Sequence, residues 1–150
     1  MNLKADHMHS LPDFFKTTPD PRRAQGRRHS LPTVLAIAAG AILCGMRGYK
    51  AISDWANGLG QKARARFGCR REKGRYVVPS ESIIRDVLVR VNPDDHDSAL
   101  QKWNEAFGAQ DDGLAIDGKV MCNAVNEDDR QIHVMNVVGH DSNICYTQKK

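Results

Sequence analysis

The sequence predicts an α+β protein, a helical N-terminal domain followed by an antiparallel β-meander. Three observations carry that expectation. Capped apolar segments with helical spacing fill residues 31–107. Short apolar runs separated by polar turns occupy the chain beyond residue 110. The charge changes sign between the two: Met1 to Arg90 holds 17 Lys/Arg against 7 Asp/Glu, a net of +10, and Val91 to Lys150 holds 5 against 11, a net of −6. At 150 residues, 41% hydrophobic and 27% charged, the chain has an ordinary globular composition that excludes collagen-like and low-complexity classes. Cys44, Cys69, Cys122 and Cys145 form no C-x-x-C pair, which argues against a zinc ribbon or a disulfide scaffold and fits a reducing, cytoplasmic setting.

Residues 1–30 read as an N-terminal turn and a basic loop. Ser10 to Phe15 is a helical turn that anchors the N-terminus through Leu11, Phe14 and Phe15, and Pro19 and Pro21 lead into RRAQGRRH, a loop too charged to bury itself. The helical domain spans 31–109. Ser30 is a good N-cap for an apolar helix with Pro32 in its first turn, and Gly45 and Gly48 end that helix. The next helix, Tyr49 to Leu59, carries Ile52, Trp55, Ala56 and Leu59 on one stripe. Gln61 to Phe67 is a short basic helix or loop, and Cys69 to Arg75 is exposed.

Ser80 caps a helix that runs to Val91. Asn92-Pro93-Asp94-Asp95 starts another, with acids at the positive end of its dipole and Leu100, Trp103, Ala106 and Phe107 facing inward until Gly108 stops it. Residues 110–150 then supply three strands: Leu114 to Asp117, Gln131 to Val138 and Asn143 to Gln148. The apolar run Leu31 to Met46 is 16 residues, short of the roughly 20 that cross a bilayer, and suits a buried central helix.

Two kinds of residue point to chemistry. The basic segments Arg22 to His29 and Lys62 to Arg75 are candidate phosphate contacts, through Arg22, Arg23, Arg27, Arg28, Arg64, Arg66, Arg70 and Arg71. Arg85, with Glu81 and Arg90, lies on a candidate recognition helix of a helix-turn-helix arrangement. The other feature is Leu-Ala-Ile-Asp117-Gly118-Lys119, a carboxylate closing a short strand, where Asp117 suits a divalent cation and Lys119 a phosphate. The same pattern also suits an ordinary turn. The six histidines show no metal-ligand spacing, and Trp55 and Trp103 suit core packing better than base stacking.

The order PDPRRAQGRRHSLPTVLAI, CGMRGYKAISDWA, VPSESIIRDVLVRVNP and LAIDGKVM resembles the H-repeat-associated family of bacterial insertion-sequence transposases, from about residue 10 onward. That resemblance implies a helical associated domain followed by the start of a ribonuclease-H-like DDE catalytic domain. In that superfamily two Asp and one Glu hold two metal ions, Mg²⁺ or Mn²⁺, for DNA cleavage and strand transfer. It carries the first of these carboxylates to Asp117, as a catalytic metal ligand, and a phosphate contact to Lys119. Met121-Cys122-Asn123 departs from the family's Leu-Arg-Gly-Ser-like stretch.

The second Asp and the Glu of the family lie beyond Lys150, so a truncated, inactive DNA-binding fragment is expected, with an incomplete ribonuclease-H-like meander. Its first strand is expected at an exposed edge. The partners implied are the terminal repeats of the element's DNA and other copies, by self-association or with full-length transposase. A non-enzymatic DNA-binding regulator and a protein-interaction module are the alternatives.

Overall fold

The computed structural model describes residues 10–107, 112–141 and 145–149, and divides into two compact units between Ala99 and Leu100. The division falls inside a helix, about ten residues before the change in sequence character near 110. The architecture is α+β, helices first and an antiparallel meander last.

The first unit is built around α2 (Leu31–Leu43), preceded by the single turn α1 (Leu11–Phe14). Ser30 caps α2, accepting a bond from the Thr33 amide at 3.4 Å. Leu31, Val34, Leu35, Ala36, Ile37, Ala38 and Ala41 are all buried, so α2 is apolar on every side and must be surrounded. It is closed by a Schellman motif: Met46 N–H donates to Ala41 O and Gly45 N–H to Ile42 O, with Gly45 at φ +84°.

The same unit holds α3 (Tyr49–Gly58), α4 (Gln61–Arg66), α5 (Glu81–Arg90) and the first half of α6 (Pro93–Phe107), of which α3 and α5 pack on α2. Helix α5 buries Ile84 and Val87 and packs on both α2 and α3. The α6 start is capped as its sequence requires, the Asp94 amide donating to Asn92 Oδ1 at 2.9 Å. Trp55 meets Phe67 edge-on with ring centroids 6.0 Å apart. Among the described residues no helix is long and apolar enough to cross a membrane.

Three local expectations are corrected. The loop 20–29 does bury itself in part, since Arg22 and His29 are 3% and 5% exposed. Residues Cys69 to Arg75 are not uniformly exposed. Cys69 is buried, its thiol pushed up to about 11 by burial, and the rest forms a hairpin of β1 (Arg71–Glu72) and β2 (Arg75–Tyr76). That hairpin stands between α4 and α5, where a helix-turn-helix would need only a three- or four-residue turn.

The second unit holds the end of α6 and a sheet of β3 (Leu114–Val125), β4 (Gln131–Gly139) and β5 (Cys145–Lys149), in that order and antiparallel. Trp103 is buried, as expected of core packing, but Ala106 is exposed, and Gly108 lies outside the described residues, as does Asn143. Asn126 shapes the β3–β4 turn: its Oδ1 accepts from the Asp128 and Arg130 amides, and Asp129 takes φ +62°. Strand β3 is much longer than the run Leu114 to Asp117 suggests. Asp117 and Gly118 sit mid-strand, paired with Asn136 and Met135, because Lys119, Val120 and Val125 continue the ladder against β4.

The first unit holds two histidines in the neutral form. Burial lowers the pKa of His29, helped by the charges of Arg70, Arg22 and Arg28, and burial likewise lowers that of His96. Among the described residues neither buried Nδ1 has a hydrogen-bond partner, so a proton added there finds no acceptor among them. A depressed folded-state pKa means that the unfolded chain binds the proton first. The unit is therefore expected to lose stability as pH falls below about 6.5, the ordinary histidine value. Thermal melts between pH 7.5 and 5 check this. A falling Tm is expected, and the fall should shrink in a His29→Gln/His96→Gln variant.

Candidate nucleic-acid interface

The arginines of the basic loop divide into internal and external ones. Arg22 is internal. Its Nε and Nη2 bond the two oxygens of Asp20 at 3.0 and 2.8 Å, Nη1 donates to Gly26 O, and Nη2 also donates to His29 O. The Arg22 amide adds a third bond to Asp20, which closes an Asx-type turn after Pro19. Burial pushes the Asp20 pKa up, but the bonds from Arg22 and the charges of Arg22 and Arg27 carry it below the ordinary value. Arg22 is thus a structural arginine and leaves the set of candidate phosphate contacts.

Arg27 is half committed: Nε donates to Arg22 O and Nη2 to Asp20 O, while about half of its side chain remains exposed. Arg23 and Arg28 are exposed. An open crevice of about 300 Å³ runs beside Arg22, between Arg23, Gln25 and Gly26 on the loop and Asp86 and Arg90 on α5. Asp86 and Arg90 form an i,i+4 ion pair at 2.8 Å. Arg85 and Glu81 are exposed on the same helix.

The second basic segment sorts in the same way. Arg64 is half-buried and donates to three carbonyls, Leu59 O, Asn57 O and Tyr76 O. It ties the end of α3 to the hairpin and is a positioning residue. Arg66 is exposed at the end of α4. Arg70 pairs with Glu72 at 2.6 Å, and Arg71 lies over the Tyr76 ring, 5.8 Å from its centroid. The surface of this unit therefore presents Arg23, Arg28, Arg66, Arg71, Lys73, Arg75 and Arg85, all exposed.

In the sheet, Asp117 and Lys119 are exposed and share one face of β3, two residues apart. Asn136 stands opposite Asp117 on β4, and Gln148 opposite Asn136 on β5, giving a row of one carboxylate and two amides. Among the described residues no group of three or more His, Cys, Asp or Glu is placed to hold a metal ion. Beside Asp117 the described residues offer a magnesium ion amides and a lysine, not a second carboxylate. The opposite face of β3 and β4 exposes Leu114, Ile116, Val120 and Met135.

The chain thus joins a helical unit with a cationic surface to a three-stranded antiparallel sheet that displays Asp117. Comparison with known proteins defines it further. Residues 12–104 match the DDE_Tnp_1-associated family, and the chain belongs to that family of transposase-associated domains. It is also 31% identical over 114 residues to an "Uncharacterized protein in dhlA 3'region" of Xanthobacter autotrophicus. The alignment covers 72% of this chain and 36% of that protein, so the chain spans about a third of the relative's length. No solved structure matches.

Proposed function

We propose that the helical unit is a DNA-binding module of an insertion-sequence transposase, recruited to the terminal repeats of its element. The observation that carries this reading is the coincidence of the family match, residues 12–104, with the part of the chain that presents the exposed arginines. The charge of Met1 to Arg90, net +10, favours a polyanion over a neutral partner. Residues 112–149 are the opening of a ribonuclease-H-like catalytic fold, and Asp117 is its first carboxylate. The antiparallel order β3-β4-β5 and the long first strand support that assignment, and the exposed apolar face of β3 and β4 is a surface that a further layer would cover.

The chemistry of the complete family, metal-dependent cleavage and joining of phosphodiesters, needs more oxygen ligands than the single carboxylate at Asp117. We assign Asp117 one ligand position and Lys119 a phosphate contact beside it.

Binding of the full chain to a mixed-sequence duplex, followed by fluorescence anisotropy, tests the DNA reading. Affinity should fall linearly with salt on a log–log scale, losing about 0.9 of slope for each phosphate contact removed. The double variant Arg23→Gln/Arg28→Gln should bind more weakly with a slope shallower by about 1 to 2. Affinity that does not change between low and physiological salt would remove the proposal in favour of a protein-interaction module.

A further inference from the structure

The hairpin 70–77 is the feature that neither the family match nor the charge count explains. Its strands are two residues long, and a two-stranded ribbon of that size does not hold together in water by itself. Three devices hold it. Lys73 at φ +46° and Gly74 at φ +82° make the tight turn whose twist suits a two-residue hairpin loop. The Val77 amide bonds Arg70 O at 3.0 Å and closes the base. Gln61 then acts as a third strand, its Oε1 accepting from the Tyr76 amide at 2.7 Å and its Nε2 donating to Tyr76 O at 3.2 Å.

Below these, Arg64 donates to Tyr76 O, and Thr33 of α2 donates to Gly68 O at 2.9 Å. Gly68 is fixed as glycine twice over, by φ +75° and by Thr33 Oγ1 standing 3.1 Å from where its Cβ would be. The base of the hairpin is bolted to α2 and α4. Its outer part, Arg71 to Arg75, is exposed throughout.

That outer part is cationic. Arg70, Arg71, Lys73 and Arg75 face one acid, Glu72, which Arg70 already pairs. A segment that needs this much anchoring yet buries almost nothing is held for presentation. Its dimensions select the occupant. From Arg70 to the tip the strand rises about 10 Å, and a major groove is about 8.5 Å deep and 12 Å wide, so a two-stranded ribbon enters it. The minor groove, about 6 Å wide, would not admit the same ribbon.

We infer that the hairpin is an arm that enters the major groove of duplex DNA, with Lys73 at its tip, Arg71 and Arg75 along its strands, and Gln61 and Arg64 as positioning residues. The inference rests on the DNA-binding reading above and adds to it a defined contact element.

The full chain and a mixed-sequence duplex suffice for the test, with thermal melting to confirm that each variant is folded. The variant Arg71→Gln/Lys73→Asn/Arg75→Gln keeps a residue that tolerates positive φ at 73, and should lose about tenfold in affinity with a salt slope shallower by about 2. Gln61→Ala changes no charge but releases the clamp, and should also weaken binding severalfold. Methylation of guanine N7, in the major groove, should interfere with binding, and methylation of adenine N3, in the minor groove, should not.

If the triple variant or Gln61→Ala binds like the wild type while Arg23→Gln/Arg28→Gln is weakened, the arm is overturned and DNA binding stands. Interference confined to adenine N3 overturns the groove assignment. Failure of the wild-type chain to bind duplex at all overturns both readings together.

Discussion

Replacing Arg22 with alanine is expected to cost the helical unit about 3 kcal/mol or more of its stability. Arg22 looks like one of several interchangeable loop arginines, but it is 3% exposed and holds the loop 20–29 together. Truncation takes from the Asp20 carboxylate its two guanidinium bonds, leaving it the residue-22 amide and the more distant Arg27, and leaves Gly26 O and His29 O without the donors they have in Arg22. The penalty is chiefly the desolvation of groups left without partners, not the lost attraction between the charges. Asp20 is partly open to water, which keeps the loss at the lower end of the range for buried pairs. For a domain of this size the change lowers Tm by roughly 10–20 °C.

Arg22→Lys should recover only part of the loss, since an ammonium cannot span Asp20, Gly26 O and His29 O as a planar fork does. The adjacent Arg23→Ala should move stability by less than about 0.5 kcal/mol, as exposed substitutions do. Urea unfolding of the three variants checks the contrast. Equal destabilisation at 22 and 23 would refute the assignment of Arg22 to the interior.

How the sequence hid this division is physically plain. Helices and strands announce themselves through spacing, and α2, the Asn92 cap and the three-strand meander were all legible from apolar periodicity and turn residues. Arginine carries no such mark. Whether a guanidinium faces water or the interior depends on which carbonyls the loop turns inward, and those of Gly26 and His29 are brought to Arg22 by a turn the residue string does not spell out. The same holds for Arg64, whose three carbonyl partners come from the end of α3, the Leu59 that follows it, and β2.

The hairpin is hidden in the sequence for a different reason. Two strands of two residues each are too short to show an alternating pattern, and Glu72 is a poor strand former. The ribbon is made by tertiary clamps from Gln61 and Thr33, not by its own residues. Asp117-Gly118 has the composition of a turn, and cross-strand pairing with Asn136 and Met135 overrode it.

Phe15→Ala should be the other large effect, about 3–5 kcal/mol, because it empties a site at 0% exposure. Phe15 sits at the end of α1, which packs against α2, and its ring stacks on His96 with centroids 5.2 Å apart and planes 9° from parallel. The substitution thus couples packing to titration. Water admitted beside His96 relieves the burial that lowers its pKa, so that value should climb back toward 6.5 as read by NMR of the imidazole protons. The sign of the pH effect follows. A His96 with nearly the same pKa folded and unfolded no longer contributes to acid destabilisation, so the variant should be less stable at pH 7.5 but lose less on going to pH 5. Phe14→Ala, half-buried and one residue away, should cost clearly less and leave the His96 titration where it was. A Phe15 variant with the full loss of stability but an unmoved His96 pKa would show that burial of that histidine comes from elsewhere in the unit, and that the N-terminal turn is a packing element alone.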